Sequence, residues 1–168
     1  MTRIGILSDT HSCWDDRFAL YFAECDEIWH AGDIGCEETL RQLQGIGPKV
    51  RAVRGNIDHG PMLRECPELQ IFRIEDCTVL MTHVGGYPWR YAPGIENLLI
   101  QHRPTLMIAG HSHILKVMYD QRFNLLHINP GAAGYHGWHK ERTLVRLKID
   151  GINIHDVEII ELAKIISD

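Results

Sequence analysis

Five short polar clusters contain side chains that bind metal ions, namely carboxylates, imidazoles and an amide. Their donor atoms suit Mn²⁺, Fe²⁺, Zn²⁺ or related ions better than Ca²⁺, which prefers oxygen ligands. Seven candidate ligands are too many for one four-coordinate zinc site, but they suit two ions that share a bridging carboxylate. Two ions about 3.5–4 Å apart can bind a bridging hydroxide and hold phosphoryl oxygens. The candidate ligands are Asp9, His11, Asp33, Asn56, His83, His111 and His113.

Each cluster by itself has an ordinary structural explanation. Asp9-Thr10-His11 could form a strand-end cap, and Gly32-Asp33 could form a common turn. The alternating histidines of residues 110–113 are less common directly after an apolar segment. Isolated motif matches carry false positives, so we base the prediction of a metal site on the conjunction of all five clusters.

Every cluster follows a short apolar segment that predicts a buried strand. Apolar residues at helical spacing predict helices at residues 14–24, 37–44 and 95–102. In open α/β sheets, binding sites form outside the carboxyl ends of the parallel strands, so the clusters are expected to converge. The strands before the clusters are predicted at residues 3–8, 27–30, 49–53, 78–82 and 105–109.

The alternation of strands and helices in the first half predicts parallel strands with covering helices. In the second half a hairpin turn at residues 75–77 is predicted to join strand 69–74 to strand 78–82. Two packed sheets with helices outside would bury this many strands, so the predicted fold class is α/β. Four further strands, expected to be antiparallel, are predicted at residues 116–119, 125–129, 143–149 and 153–160.

Composition and charge argue against several other classes of protein. A formal net charge of −5 argues against nucleic acid as a stable partner, because nucleic-acid scaffolds usually carry a basic stripe. No apolar run approaches the roughly 20 residues that span a bilayer, and no signal peptide is visible. Five cysteines without a CxxC pair fit a reducing compartment. We therefore predict a cytoplasmic protein without a membrane partner, with residues 1–168 forming one domain.

The ordered clusters resemble the calcineurin-like metallophosphoesterase superfamily, whose pattern reads D-x-H, GD, GN, H and GHxH. The resemblance covers residues 9–113, and the segment Ile128-Asn129-Pro130-Gly131 resembles the small bacterial and archaeal phosphodiesterase branch. It implies a four-layer α/β/β/α sandwich of two mixed β-sheets flanked by helices. It also implies two divalent metal ions, with manganese first and nickel, iron, zinc, cobalt or magnesium as alternatives.

The resemblance further implies a role for each candidate ligand. A hydroxide between the two ions would attack phosphorus, and Asp58 is a candidate for orienting the imidazoles from outside the ligand set. The residues with an implied catalytic role are Asp33, Asn56 and His111. One ion would be bound by Asp9, His11 and His113, and the other by Asn56, His83 and His111, with Asp33 bridging both.

One position departs from the family pattern. Many members have a histidine after the Gly-Asn pair, where it acts as general acid, and this chain has Ile57 there. General acid catalysis is worth about 10²–10⁴-fold, so its loss matters most for poor leaving groups. We therefore predict a phosphodiesterase that cleaves small diesters with good leaving groups and has weak monoesterase activity. His59 could replace the missing acid, but a surface role is the favoured interpretation.

Two aromatic segments lie outside the ligand set. The segment 87–91 could form a substrate wall, because aromatic faces and Arg90 could contact a base and a phosphate. A packed loop or an oligomer contact is favoured, since aromatic residues and arginine are enriched at interfaces, so a homo-oligomer is compatible with the sequence. His136, Trp138 and His139 could border the cleft, although no spacing makes them ligands.

Two functions of other classes compete with the enzyme. A non-catalytic, protein-binding scaffold of the same fold is the main alternative, as in the retromer scaffold subunit, whose ligand set is incomplete. No predicted ligand is missing in this chain, so the site favours the enzyme. A regulatory nucleotide-binding module would need a GxGxxG or P-loop fingerprint, and the sequence contains neither.

Overall fold

The computed structural model describes residues 1–163, which form twelve strands and four short helices. The helices are α1 (Asp16–Phe22), α2 (Glu37–Gln44), α3 (Met62–Glu65) and α4 (Ile95–His102). The strands are β1 (Thr2–Leu7), β2 (Glu27–His30), β3 (Lys49–Ala52), β4 (Leu69–Ile74), β5 (Cys77–Thr82), β6 (Gly86–Tyr87), β7 (Arg90–Tyr91), β8 (Leu106–Ile108), β9 (Leu115–Asp120), β10 (Leu125–Pro130), β11 (Arg142–Asp150) and β12 (Asn153–Leu162).

Two five-stranded mixed sheets form the centre of the fold. The first has the strand order β12-β11-β1-β2-β3, in which β1, β2 and β3 are parallel as the sequence predicted. The second has the order β4-β5-β8-β10-β9, in which β5, β8 and β10 are parallel. The antiparallel prediction is confirmed for β9, β11 and β12. It is wrong in part for β10, because the chain returns after β9 and inserts β10 between β9 and β8, parallel to β8.

Alternating apolar side chains create the layers. Ile4 and Ile6 of the first sheet pack in one core cluster with Val79 and Ile108 of the second, so the two sheets bury one face against each other. Side chains of the opposite faces, such as Leu80, pack against the helices. Helices α1 and α2 cover the first sheet, and α4 covers the second. The predicted α/β/β/α sandwich of two mixed sheets is confirmed.

Most predicted helix and strand bounds agree with the structure within one or two residues. Helix α1 is shorter than residues 14–24, because Asp15 caps its start by accepting a hydrogen bond from the Arg17 N–H. The four-residue helix α3 and the small β6–β7 hairpin were not predicted, since elements this short show no hydrophobic period. Within residues 1–163, no helix is long and apolar enough to cross a membrane.

Candidate metal centre

The seven predicted ligands follow the carboxyl ends of five strands. Asp9, Asp33 and Asn56 come after β1, β2 and β3 of the first sheet. His83 comes after β5, and the Gly110–His113 turn comes after β8, both in the second sheet. The site therefore lies where the carboxyl ends of parallel strands from both sheets meet, as expected for a fold of this class.

Two triads of metal-binding side chains form within this region. In each triad the three ligand atoms lie within 4.8 Å of one another. Asn56 joins the second triad, because its Oδ1 lies 3.1 Å from His83 Nε2 and 3.1 Å from His111 Nδ1. The structure thus brings all seven residues together, with His11 and His113 in one group and His83 and His111 in the other. The triads are Asp9, His11 and His113, and Asp33, His83 and His111.

Asp33 belongs to the second triad and also faces the first. Its Oδ2 is 3.5 Å from His11 Nε2 of the first triad and 3.2 Å from His83 Nε2 of the second. Its Oδ1 accepts a hydrogen bond of 3.1 Å from the Ile57 N–H, which holds the carboxylate in this orientation. One oxygen is therefore oriented by the backbone, and the other faces both groups of imidazoles, as a bridging ligand requires.

Two buried polar atoms of the first triad support a cation between them. Asp9 Oδ2 accepts hydrogen bonds from Ser8 Oγ and the His111 N–H. Asp9 Oδ1 and His11 Nε2 are buried but make no hydrogen bond with any residue of 1–163. Buried polar atoms without a partner cost about 1–3 kcal/mol each, so their position within one triad fits metal coordination.

The tautomer of His83 supports the same conclusion for the second triad. Its Nδ1 donates a 2.7 Å hydrogen bond to the Ala31 carbonyl, so a neutral ring presents the lone pair of Nε2 to the site. That lone pair faces Asn56 Oδ1 and Asp33 Oδ2, both acceptors. Only a proton or a metal ion between these atoms makes the arrangement favourable. A backbone carbonyl that fixes the distal nitrogen is typical of metal-binding histidines.

The electrostatics keep the carboxylates ionised. Burial favours the neutral carboxyl of Asp9, but the interactions with His113 and His83 outweigh it and lower the pKa. The pKa of Asp33 is also lowered, because contact with His83 outweighs the effect of burial. Burial lowers the pKa of His11, which favours its neutral, ligating form. These protonation states are the ones in which the side chains bind metals.

Five of the seven predicted ligands have left-handed backbone conformations. Their φ angles lie between 44° and 73°, although none is glycine. Such conformations cost of order 1–3 kcal/mol each and persist only where the surroundings enforce them, typically at functional sites. Sequence reasoning did not detect this strain, since Asp and His give no local signal for it. The five residues are Asp9, His11, Asp33, His111 and His113.

Two of the glycines in the clusters allow close approach of backbone to ligand. A Cβ at Gly55 would overlap Asp33 Oδ1, and one at Gly110 would overlap Ser8 Oγ and approach Asp9 Oδ2 to 2.9 Å. Glycine is therefore required beside both carboxylates, because any Cβ there would overlap them or the side chains that hold them.

Asp58 and His30 hold the surrounding loops. Asp58 accepts backbone hydrogen bonds from Ile34, Gly35 and Gly55, so it links the loops after β2 and β3 and does not orient an imidazole as predicted. Asp58 has this role because the tight turn at residues 55–58 directs its carboxylate toward backbone amides. His30 Nδ1 accepts from the Gly32 N–H, which leaves Nε2–H to donate to Thr10 Oγ1 at 3.0 Å.

The centre is open to solvent on one side. Asp9, Asp33 and His83 are buried at its base, whereas Asn56 and His111 are exposed at its mouth. Ile57 is 39% exposed beside this mouth and offers no titratable group. His59 is exposed, and its Nδ1–H donates to the Ile57 carbonyl at 3.1 Å.

The two aromatic segments differ in their distance from the ligands. Trp89 of the β6–β7 hairpin packs under the guanidinium of Arg122, 4.0 Å from the ring centre, and the structure shows no contact between Trp89 and the seven ligands. In contrast, the His136 ring lies 4.5 Å from the His11 ring, and the His139 ring lies 5.2 Å from the His113 ring. Residues 136–139 therefore border the centre, as the sequence suggested, although no spacing rule identified their place.

Comparisons with known proteins agree with this architecture. The family model of the calcineurin-like phosphoesterase superfamily domain matches residues 2–151. A probable metallophosphoesterase of Methanothermobacter thermautotrophicus (strain Delta H) is 30% identical, over 94% of this chain and 91% of the relative. An archaeal phosphodiesterase structure is similar with a TM-score of 0.74 and 21% identity, over 95% of this chain and 99% of that one. The structure of zinc-bound Vps29 of Entamoeba histolytica is similar with a TM-score of 0.74 and 15% identity, over 96% of this chain and 98% of that one.

The fold and the two linked triads define the class of protein as a two-sheet α/β domain with a candidate metal centre at the strand ends. The chain belongs to the calcineurin-like phosphoesterase superfamily, and this superfamily implies divalent metal ions. The two solved structures, at 15% and 21% identity, show that the fold is shared.

Proposed function

We propose that this chain is a metal-dependent phosphodiesterase that binds two divalent ions through the seven residues of the centre. The observation that carries the proposal is the position of Asp33, whose Oδ2 faces His83 of its own triad and His11 of the other. The 30% identity to a probable metallophosphoesterase supports the phosphoesterase activity, and the fold shared with an archaeal phosphodiesterase supports the diester substrate. Manganese is the first choice of ion, since its preferences suit mixed oxygen and nitrogen donors.

The protein residues prepare the site for this chemistry. Two bound ions would supply an activated water at neutral pH and neutralise charge on the phosphoryl oxygens. Asp9 and Asp33 are ionised and buried, so they would retain two divalent cations. Their two negative charges do not balance the four positive charges of the cations, and the remaining positive charge would attract an anionic ester. Asn56 and His111 stand exposed at the mouth, where a phosphoryl group would enter. Ile57 offers no proton to a leaving group there.

A metal-by-substrate screen tests the proposal. Metal-stripped protein is loaded with Mn²⁺, Zn²⁺, Ni²⁺, Fe²⁺, Co²⁺ or Mg²⁺ and assayed on an aryl diester, cyclic nucleotides and monoesters. We expect the aryl diester to be cleaved fastest. The Asp33→Asn variant should lose roughly 10²–10³-fold in kcat, the range for removing one group that stabilises transition-state charge. Asp76→Asn makes the same chemical change at a side chain 72% exposed in the β4–β5 turn and should keep full activity.

Two outcomes would reject the proposal. Alkyl monoesters could be hydrolysed faster than aryl diesters, or Asp33→Asn could match the wild type. A protein that binds Mn²⁺ in calorimetry, hydrolyses no ester and forms a stable complex with another protein would instead support the scaffold function.

A further inference from the structure

A groove of about 470 Å³ opens directly beside the candidate metal centre. One wall is the turn after β8, residues 111–114, and the other is the loop 136–139. Two lining residues are predicted ligands, His111 from one triad and His113 from the other. A molecule held in this groove would therefore extend from the metal centre itself.

Two large apolar side chains of this groove are exposed. The Trp138 side chain is fully exposed at 102%, and Ile114 is 62% exposed. A single exposed apolar residue is common on protein surfaces and carries no information. Two of them beside a metal centre form a local apolar surface, which marks a binding site more often than an isolated residue does. Tryptophan also offers a flat, rigid face for stacking.

The loop that carries Trp138 is anchored on both sides. The Arg142 side chain is fully buried, donates from Nε to the Ala133 carbonyl at 2.7 Å, and lies 4.0 Å above the Tyr135 ring. His139 Nε2–H donates to the Gly134 carbonyl at 2.8 Å. Because the neighbouring residues are held, Trp138 would lose little conformational freedom when a ligand stacks on it.

The backbone beside Trp138 is also fitted to the centre. Gly137 has φ 120°, and a Cβ at this position would overlap His113 Nδ1. The loop therefore approaches a predicted ligand more closely than any other residue type would allow. His136 lies on the other side, its ring 4.5 Å from that of His11. Trp138 is thus presented from a loop in which the Gly137 backbone lies against His113 and the His136 ring lies against the His11 ring.

The lining of the groove indicates what it would hold. It contains histidine, serine, isoleucine, glycine and tryptophan, and no Asp, Glu, Lys or Arg. A second groove of about 340 Å³ reaches Asn56 and His83, but Arg54, Asp58 and Glu68 line it. The groove at Trp138 therefore suits a flat group without charge, and the second groove suits a polar one.

We propose that Trp138 stacks on the non-leaving substituent of the substrate, so that this chain selects diesters carrying an aromatic ring or a nucleoside base. This inference rests on the proposed phosphodiesterase function and names its substrate class. Stacking of a base on an aromatic side chain is sequence-tolerant, because every base has a π-face. The selected class therefore includes nucleosides of any base and simple aryl groups.

Two substrates with the same leaving group test the proposal. Thymidine 5′-p-nitrophenyl phosphate and methyl p-nitrophenyl phosphate both release p-nitrophenolate, and they differ only in the group that would meet Trp138. With the Mn²⁺-loaded protein, Trp138→Ala should raise KM for the thymidine ester about tenfold. The same variant should leave kcat and KM for the methyl ester unchanged. Trp138→Phe should retain most of the preference, because its ring still stacks. Trp89→Ala, the matched exposed tryptophan, should behave as the wild type.

Equal losses on both esters, or no loss with Trp138→Ala, would overturn the proposal. A wild type that cleaves neither ester would reject the phosphodiesterase function, and the groove is then tested by binding alone. In that case calorimetry compares the affinity of the Mn²⁺-loaded wild type for thymidine 5′-monophosphate with that of Mn²⁺-loaded Trp138→Ala. Binding about tenfold weaker in Trp138→Ala supports the groove, and equal or absent binding rejects it.

Discussion

At the scale of single residues, Ile57 limits what the proposed phosphodiesterase could do for a leaving group. It stands directly after the ligand Asn56, its backbone N–H holds Asp33, and its side chain is partly exposed at the mouth. The backbone of this position therefore serves the metal centre, whereas its side chain can neither donate nor accept a proton. In the proposed reaction, the leaving group would depart without a proton from this position.

Replacing Ile57 with histidine should broaden the range of leaving groups. A histidine there can donate a proton, an effect typically worth about 10²–10⁴-fold when well placed, so even an imperfect fit should raise the turnover of poor leaving groups. We expect diesters with alkoxide-like leaving groups to gain at least severalfold, and p-nitrophenyl esters to change little. The measurement is kcat across a series of diesters ordered by leaving-group pKa.

His59→Ala is the control for this experiment. The exposed His59 ring donates to the Ile57 carbonyl, so its removal should leave the leaving-group dependence of the wild type unchanged. A steeper dependence in His59→Ala would identify His59 as the acid and contradict the interpretation of Ile57.

At the scale of elements, the loops after the strands have backbone conformations and close contacts that few sequences allow. Five ligands have left-handed backbone, and the neighbouring glycines allow carboxylates to lie against the main chain. Asp58 ties the loop after β2 to the loop after β3 through three backbone N–H groups. The backbone of these loops therefore sets the geometry of the centre, and Asp58, which is not a candidate ligand, holds that backbone in place.

Gly55→Ala should damage the centre while preserving the fold. A Cβ at position 55 would overlap Asp33 Oδ1 and the Asp33 backbone nitrogen, so the Asp33 carboxylate must shift from its present position. We expect Mn²⁺ affinity to fall roughly 10–100-fold, the range for losing a group that orients a ligand, with the far-UV circular dichroism unchanged. Gly45→Ala, at the end of α2, meets only backbone oxygens at 3.4 Å and should bind Mn²⁺ as the wild type does. Unchanged affinity in Gly55→Ala would refute this account.

The strand ends explain how much of the centre was predictable. Alternating or continuous apolar runs located β1, β2, β3, β5 and β8, and the residue types after them identified the seven candidate ligands that the structure brings together. The strained φ angles, the role of Asp58 and the place of loop 136–139 depend on contacts between segments distant in sequence. The parallel pairing of β10 with β8 was missed for the same reason, because strand order is a property of the whole sheet.

At the scale of the whole molecule, the second sheet buries a histidine away from the metal centre. The His127 side chain on β10 is fully buried, and its Nε2–H donates to the Gly86 carbonyl at 3.0 Å. Its Nδ1 makes no hydrogen bond with any residue of 1–163. Burial lowers the pKa of His127 to about 4, against an ordinary value of 6.5.

This histidine should make the free energy of unfolding depend on pH. The unfolded chain binds a proton at His127 below pH 6.5, and the folded chain binds it only near pH 4. Stability is therefore unaffected by His127 above pH 6.5 and falls as the pH drops through this window. At pH 5 the loss is roughly 2 kcal/mol, because one pKa unit corresponds to 1.36 kcal/mol.

His127→Gln should remove this contribution while keeping a donor for the Gly86 carbonyl. In urea denaturation, we expect the variant to lose about 2 kcal/mol less than the wild type between pH 7.5 and pH 5. His59→Gln replaces an exposed histidine and should lose as much as the wild type. An identical pH dependence in all three proteins would show that His127 does not control acid stability.

The position of β1 has a consequence for how this chain folds during its synthesis. Strand β1 lies inside its sheet, where residues 2–6 pair with residues 145–149 of β11. At a translation rate of about 5–20 residues per second, β1 waits on the order of ten seconds or more before its partner leaves the ribosome. Throughout that interval one edge of β1 is unpaired, and such edges associate with other chains. All seven candidate ligands precede β11 in the chain, so they leave the ribosome before the strand that completes the pairing of β1.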